Sequence, residues 1–532
     1  MIARKSFLIV STSFFIDFLG WIGIVILAKL WGGFAPQALG IIGFAMSFVS
    51  IFNVITDFGF STAHIKRVSE GKDLGRCIGT FAVVKIFLTV IMVVSTFVFL
   101  YISKNFLQIE FVDATTYPVV IVIVFQTIFA NLQSIVTQTF IGKRQIAKLQ
   151  ITLIFENLVK IPLSIIVALA GVSALGLFPI GEWPVLQPLQ RFISEHAVGS
   201  LAMTYLFGAM AVFFVGFWLM RKYPLKRPNW ELFKSYFRFA SPIMITSFVA
   251  TISNNVDKLF IGYFGTSVEV AYYFTVQRVL AFITIFSSSV GTVLFPSISA
   301  FHAEKDYEKM KKTVRQAERY ISMVMIPPVI FIFIFVQPII KIILDEAFLP
   351  AAPVLVILTV WALVKGLAAP YSSYLSGMDR PEVGAKLTIF ASAVNIVLDY
   401  LAIPENGILS PFGLSGPTAA AFIALISYCI IFIGLRIMAR KLTGIKLLQS
   451  HTPRHIIAGG VMGIVLYYIA YQTPLLPLIR WYTLLGFAAV GLCIYIAALY
   501  LLKEFSKKDL DFFLNIIRPK EMLKYMKSEI KE

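Results

Sequence analysis

Long apolar runs separated by short polar segments occupy almost the whole chain. A helix needs about 20 mostly apolar residues to cross a bilayer, and the chain contains about fourteen such runs. Because the runs are continuous rather than alternating in polarity, they predict spanning helices instead of the strands of an outer-membrane barrel. The predicted spans are residues 7–31, 38–61, 79–103, 115–140, 150–171, 199–221, 236–263, 268–298, 320–344, 352–376, 383–403, 413–437, 455–473 and 478–502.

The composition supports this class. Hydrophobic residues make up 58% of the sequence and charged residues only 14%, whereas soluble domains carry about 25% charged residues. We therefore predict an all-helical, multi-pass membrane protein without a large soluble domain. The three cysteines match no metal-binding or redox spacing, and we expect no metal and no cofactor.

Basic residues are concentrated in alternate connections between the predicted helices. The chain has 46 Lys and Arg against 28 Asp and Glu, and loops rich in Lys and Arg remain in the cytoplasm. This distribution predicts a protein of the cytoplasmic membrane with both termini cytoplasmic. It also explains the positive charge without nucleic-acid binding, which we do not expect. The basic connections hold Lys66, Arg67, Lys72, Arg76, Lys143, Arg144, Lys148, Arg221, Lys222, Lys226, Arg227, Arg436, Arg440, Lys441 and Arg454.

Two segments have the apolar spacing of amphipathic helices that lie on the inner membrane surface. For the first, an ordinary solvated connector is an equally good interpretation. The second lies in the basic tail after the last predicted span. The apolar positions are Tyr307, Met310, Val314 and Ala317 in the first segment and Leu510, Phe513, Leu514 and Ile517 in the second.

An internal repeat relates the two parts of the chain. Residues 43–52 align with residues 277–286, so the first two predicted helices correspond to the seventh and eighth. The offset of six helices predicts two parallel six-helix lobes, related by a pseudo-twofold axis along the membrane normal, plus two extra helices. We accordingly predict an N-lobe over residues 1–225, a C-lobe over residues 226–442, and a last pair of helices with a basic amphipathic tail over residues 443–532.

Polar side chains inside predicted spans are costly, so each is a candidate functional group. Asp17 and Arg278 are the strongest candidates, because Asp17 lies near the middle of its predicted span and Arg278 roughly a third of the way along the eighth span. The forked guanidinium of Arg278 suits a phosphate, although a structural Arg–Asp bridge between the lobes would explain it equally well. The candidates are Asp17, Asn53, Asp57, Lys85, Glu156 and Lys160 in the first lobe, and Asn254, Asn255, Asp257, Lys258, Arg278, Lys365, Asn395 and Asp399 in the second.

Several motifs, taken in their order along the chain, resemble the polysaccharide transporter family. These are the O-antigen and repeat-unit flippases of the larger superfamily that includes multidrug and toxin extruders. The resemblance covers nearly the whole chain and is carried by residues 28–60, 254–265, 270–278, 294–299 and 413–421.

The resemblance implies a function and a site. Such proteins move a lipid-diphosphate-linked oligosaccharide between leaflets by alternating access, with the diphosphate held in a cationic cavity between the lobes. The implied partners are the lipid-linked oligosaccharide, membrane lipids and a coupling ion, H⁺ or Na⁺, and we expect a monomer. The substrate-binding candidates are Arg278, Lys258, Lys85, Asn53, Asn254 and Gln277, and the ion-coupling candidates are Asp17, Asp257 and Asp57.

One departure from the family pattern keeps a second transport function open. Helix one carries Asp17 where a flippase for an anionic carrier should carry cations. A cation-coupled extruder of amphipathic drugs would instead use a buried carboxylate, and Asp17 or Asp257 would serve. A saccharide polymerase or glycosyltransferase ranks low, because the external loop at residues 172–198 offers only Glu182 and Glu195 as acids. With no catalytic motif in the sequence, we expect no enzymatic activity.

Overall fold

In the computed structural model of the chain, the described residues are 18–108, 110–143, 145–174, 187–444, 451–472, 480–506 and 509, and all their regular structure is helical. The helices are α1 (18–31), α2 (Ala35–Asn53), α3 (Phe60–Ser69), α4 (Leu74–Asn105), α5 (Thr116–Gly142), α6 (Ile146–Ala174), α7 (Gln187–Glu195), α8 (Ala197–Met220), α9 (Trp230–Phe264), α10 (Ser267–Ala303), α11 (Tyr307–Ile343), α12 (Ala352–Gly377), α13 (Pro381–Ala402), α14 (Gly416–Thr443), α15 (His451–Tyr471) and α16 (Trp481–Leu501). Short 3₁₀ helices lie at Gly32–Phe34, Val54–Thr56, Glu346–Ala351 and Ser410–Phe412.

The helices confirm the predicted class of an all-helical, multi-pass membrane protein. Every predicted span overlaps a long helix. Among the described residues, eleven helical segments are long and apolar enough to cross a membrane, and fourteen crossings remain a prediction. Asp17 and the second amphipathic segment, with Leu510, Phe513, Leu514 and Ile517, lie outside the described residues.

The second predicted span is interrupted near its end. The α-helix of α2 stops at Asn53, a 3₁₀ turn follows, and α3 begins at Phe60. Between them Phe58 and Gly59 have φ angles of 41° and 86°, a left-handed conformation that glycine adopts readily and phenylalanine rarely. The break therefore exposes polar backbone and side chains near the end of a spanning segment.

Helix α11 is kinked, and the kink has an identifiable cause. Phe335 is non-helical, with φ −106° and ψ 26°. Pro338 follows three residues later, and proline leaves the carbonyl four residues before it without its helical donor. That carbonyl, on Ile334, accepts a hydrogen bond from the Tyr471 hydroxyl of α15 at 2.8 Å. The kink is thus satisfied by a neighbouring helix, as spanning helices require.

Two connections differ from their predicted form. The segment with Tyr307, Met310, Val314 and Ala317 is the start of α11 rather than a surface helix or a solvated connector. Met310 and Val314 are at most 1% exposed and pack in a core cluster of protein side chains. In the connection between α6 and α8, residues 187–195 form the short helix α7.

Packing divides the described residues into two compact units. The first unit contains Phe15–Thr275 and Ser392–Ala420, and the second contains Val276–Ala391 and the residues from Ala421 onward. The boundaries therefore fall inside α10, α13 and α14, and α9 belongs to the same unit as α1–α8. The predicted division at residues 225 and 442 describes repeats rather than packing, and it remains a prediction.

Within the first unit, α2 packs closely against α9 and against the first turns of α10. A Cβ atom at Gly40 would lie 1.6 Å from the carbonyl oxygen of Ser267, and a Cβ at Gly43 would lie 2.8 Å from the Phe274 ring. Only glycine permits this approach at position 40, because the opposing atom belongs to the backbone. We call the contact of α2 with Ser267 and Phe274 the α2–α10 seam.

Candidate functional site

The helix break after α2 brings two of the predicted site residues together. Asp57 accepts a hydrogen bond from the backbone N–H of Ser61 at 3.0 Å and so caps α3. The same carboxylate oxygen lies 3.5 Å from Nζ of Lys85 on α4. Lys85 is 3% exposed and Asp57 is 45% exposed. The buried ammonium is therefore neutralised by a half-exposed carboxylate, and an anion that bound Lys85 would compete with Asp57.

Asn53 anchors the same break. Its Oδ1 accepts hydrogen bonds from Nδ2 of Asn131 on α5 at 2.8 Å and from the Thr56 hydroxyl at 3.0 Å. Oδ1 of Asn131 in turn lies 2.9 Å from the Thr56 hydroxyl oxygen. Because its amide oxygen is shared by two protein donors, Asn53 positions the break in this conformation. Asn131 was absent from the sequence-based candidates, because a single Asn in an apolar run gives no sign of its partner.

A pair of buried carboxyl groups lies in the first unit. Asp257 of α9 is 5% exposed and Asp399 of α13 is fully buried, and the two groups interact. One oxygen of Asp257 accepts a hydrogen bond from the Tyr273 hydroxyl at 2.5 Å. Its other oxygen and both oxygens of Asp399 have no hydrogen-bond partner among the described residues. Two carboxylates buried side by side cannot both stay ionised unless a proton or a cation lies between them.

Further polar groups flank this carboxyl pair. Asn395 lies one helical turn before Asp399 and is 3% exposed, and the Ser253 hydroxyl lies 3.4 Å from its Oδ1. Such oxygen donors suit a hard cation such as Na⁺, and buried acids of this kind also serve as proton carriers. The sequence predicts Asp257 as an ion-coupling candidate and Asp399 only as an intramembrane acid. The i, i+4 spacing of Asn395 and Asp399 places these two residues on one face of α13 and is the sequence signal that groups them.

The remaining predicted substrate contacts are divided between the units. Lys258, on α9 beside Asp257, is 6% exposed and donates a hydrogen bond to the backbone oxygen of Asn254 at 2.8 Å. The side chain of Asn254 itself is exposed. Gln277 and Arg278 lie on α10 just inside the second unit, and the Arg278 side chain is exposed.

The second unit holds a half-buried cation in a predicted span. Lys365 lies at the middle of α12, with its ammonium 4.6 Å from the Trp361 ring and 5.5 Å from the Tyr428 ring. Among the described residues no carboxylate lies within ion-pair distance of it. Aromatic faces stabilise a cation only in part, so Lys365 remains a site for an anion.

Other charges in the second unit have structural roles. Arg436, assigned to a basic connection from the sequence, lies within α14 and forms an ion pair with the fully buried Glu318 of α11. Tyr371 of α12 also donates a hydrogen bond to Glu318. Both carboxylate oxygens of Glu318 are thus satisfied by Arg436 and Tyr371, which is the condition for keeping that charge buried.

A second charged cluster fixes the chain after α16. Arg319 of α11 donates to both carboxylate oxygens of Asp509, at 2.8 and 2.9 Å, and Arg454 of α15 donates to Glu504 at 2.5 Å. Burial opposes ionisation of Asp509, but the hydrogen bonds from Arg319 and Ser506 outweigh it and lower its pKa to about 2. We call this cluster the tail clasp, because it ties Glu504 and Asp509 to α11 and α15.

The fold and its long apolar helices define a multi-pass membrane protein. The model of the polysaccharide biosynthesis protein family matches residues 26–179 and 193–353. The match covers more than half of the chain, so the chain belongs to this family.

Two relatives in sequence cover part of the chain. The chain is 24% identical over 198 residues to the probable low-salt glycan biosynthesis flippase Agl15 of Haloferax volcanii, covering 37% of this chain and 41% of that protein. It is 27% identical over 181 residues to the uncharacterized membrane protein MJ1068 of Methanocaldococcus jannaschii, covering 34% of this chain and 36% of that protein. The chain thus matches about two fifths of the length of each relative.

The fold itself recurs in solved transporters. The lipid II flippase MurJ in an inward closed conformation superposes with a TM-score of 0.71 at 16% identity, covering 93% of this chain and 98% of that chain. An inward-facing multidrug resistance transporter of the MATE family superposes with a TM-score of 0.59 at 14% identity, covering 79% of this chain and 95% of that chain. Together these matches confirm the family and fold that the sequence motifs predicted.

Proposed function

We propose that the protein moves a lipid-diphosphate-linked oligosaccharide across the cytoplasmic membrane by alternating access. The observation that carries the proposal is the likeness to a lipid flippase over 93% of a chain that belongs to a polysaccharide biosynthesis family. The match to a glycan biosynthesis flippase supports the same substrate class. The protein would lie in the membrane with its basic connections and both termini facing the cytoplasm.

The diphosphate requires cations that can exchange partners. Arg278 presents an exposed guanidinium, whose forked donors match phosphate oxygens. Gln277 is its neighbour on α10, and Lys365 supplies a cation that has no carboxylate partner among the described residues. In the first unit, Lys85 would bind phosphate by exchanging it for the half-exposed Asp57, with Asn53 at the end of α2 and Asn254 and Lys258 on α9 as further polar contacts. We assign substrate binding to these residues.

The buried carboxyl pair would couple transport to an ion. Asp257 and Asp399 must share a proton or a cation to remain buried together, so their occupancy depends on the ion gradient. Release of that ion would leave two uncompensated charges in a dry site and would favour a rearrangement of α9 against α13. This assignment keeps Asp257 as the coupling residue, adds Asp399, and gives Asp57 the role of counter-ion to Lys85.

The α2–α10 seam would act as the outer gate. It lies near the turn between α9 and α10, at the end of the helices away from the basic connections. Asp113 in the α4–α5 connection receives hydrogen bonds from Gln37 of α2 at 3.1 Å and from Ser267 of α10 at 3.2 Å. A glycine-lined backbone contact closed by a few hydrogen bonds can open at modest cost, as a gate must.

A drug extruder is the second candidate, because a buried acidic pair and a MATE-like fold also suit cation-coupled export. The two functions separate in a host from which the gene has been deleted. We expect the deletion to cause lipid-linked oligosaccharide to accumulate and surface glycan to be lost. Wild type and an Arg221→Ala control should restore the glycan, and Arg278→Ala should not, at equal protein levels. Intact surface glycan with raised sensitivity to cationic drugs would instead favour the extruder.

A further inference from the structure

A basic pocket lies in the first unit and is lined by residues to which the proposed function assigns no role. It forms between the last turns of α3 and the first turns of α9 and has a volume of about 370 Å³. We call it the α3–α9 pocket. It is lined by Arg67, Glu231, Lys234, Ser235, Arg238 and Phe239.

The pocket has more positive charge than its own carboxylate can neutralise. Three cations line it against the single acid Glu231. Lys234 and Arg238 are one turn apart on α9, where like charges destabilise a helix, and neither has an ion-pair partner among the described residues. Arg67 donates one N–H to Glu70 at 2.8 Å, but its buried Nε has no hydrogen-bond partner among those residues. An anion in the pocket would neutralise Lys234 and Arg238 and would accept a hydrogen bond from Nε of Arg67.

The walls of the pocket are held rigidly. His64 of α3 is fully buried, and its Nδ1 lies 3.0 Å from the hydroxyl oxygen of Tyr236 on α9. Its Nε2 lies 2.9 Å from the Thr139 hydroxyl on α5. Burial lowers the pKa of His64 to about 3, so the imidazole stays neutral and the contact persists at physiological pH. The cations on α3 and α9 are therefore preorganised instead of free to move apart.

The surroundings of the pocket indicate where its anion comes from. Trp230 and Phe237, on the same turns of α9, are 67% and 54% exposed, and exposed aromatic rings at a helix end mark the membrane–water interface. Lipid phosphates lie at that depth, and basic pockets between helices bind anionic headgroups. We propose that the α3–α9 pocket binds the phosphate of an anionic phospholipid, whose acyl chains lie against Trp230 and Phe237.

The test measures lipid bound to the full-length protein. Native mass spectrometry and thermal unfolding in detergent are compared after adding phosphatidylglycerol, phosphatidylcholine or inorganic phosphate. Wild type should retain phosphatidylglycerol and be stabilised by it, and phosphatidylcholine should have little effect. The double variant Arg67→Gln/Arg238→Gln keeps polar side chains but removes two positive charges. It should bind phosphatidylglycerol about 30-fold more weakly, since each Lys or Arg near an anionic headgroup contributes about a factor of five.

The control removes two charges at the same end of the same unit. Arg221→Ala/Lys222→Ala lies outside the pocket and should bind phosphatidylglycerol like wild type. Equal binding by the pocket variant and this control would overturn the proposal. Stabilisation by inorganic phosphate without stabilisation by phosphatidylglycerol would also overturn it, because the source would then be free phosphate.

Discussion

Replacing Gly40 by alanine tests the α2–α10 seam most sharply. The added Cβ would lie 1.6 Å from the carbonyl oxygen of Ser267 and 2.5 Å from its carbonyl carbon. Ordinary contact begins near 3.4 Å, so the two backbones must separate by about 1.8 Å. Overpacking by one methyl group costs about 1–3 kcal/mol, and the upper end applies because a backbone carbonyl cannot rotate away. The closed seam should therefore be disfavoured by about 10²-fold.

The assay measures closure and transport in the same variant. Cysteines placed at Gln37 and Ser267, in a cysteine-free background, should cross-link efficiently in the parent, since both native side chains bond to Asp113. Gly40→Ala should reduce the cross-linking yield and slow transport at least tenfold, because each cycle requires a closed gate. Gly199→Ala, whose Cβ meets no atom within 4 Å, should match the parent. Undiminished cross-linking and transport in Gly40→Ala would refute the close backbone contact.

Three further predictions follow from the buried charges. Asp399→Asn should leave the protein folded but remove the dependence of transport on Na⁺ or H⁺, whereas unchanged ion dependence would exclude the pair with Asp257 as the coupling site. Asp509→Asn should weaken the tail clasp by about 1–3 kcal/mol, which is the contribution of hydrogen bonds to a charged group, and should lower the thermal unfolding midpoint. The pKa of Asp509 is lowered to about 2 from an unfolded value near 3.9, so the stabilisation by its carboxylate should be constant above pH 5 and disappear between about pH 4 and 2. Equal thermal unfolding midpoints of wild type and Asp509→Asn at pH 7 would contradict this. Lys365→Met should raise the substrate concentration needed for half-maximal transport while leaving thermal stability equal or higher, and an unchanged concentration dependence would remove Lys365 from substrate binding.

Helix positions were predictable because the bilayer imposes one local rule on the whole chain. Each spanning segment must be apolar and long enough, whatever its partners, so hydropathy located a helix for every predicted span. The same rule does not predict which helices or side chains contact one another. The helix break after Asn53 left only a local trace, in the polar and glycine residues between Asn53 and Gly59, and the span was predicted without it.

The candidate site was predictable only in its components. Asp257 and Lys85 were named because charges inside spans are costly, but their partners could not be read from the sequence. Asp399 is 142 positions from Asp257, and α9 and α13 meet only through the tertiary fold. For the same reason Arg436 looked like a loop cation, although its ion pair with Glu318 buries it in α14.

Transport by purified protein in vesicles shows directly whether the protein moves a lipid-linked saccharide. A fluorescent lipid-diphosphate-linked oligosaccharide would be incorporated in both leaflets, and an impermeant quencher would report the fraction that reaches the outside. We expect nearly complete quenching with wild-type protein and about half with Arg278→Ala, as in protein-free vesicles. A protected inner-leaflet fraction that stays the same with wild-type protein, under Na⁺, H⁺ and potential gradients alike, would contradict it.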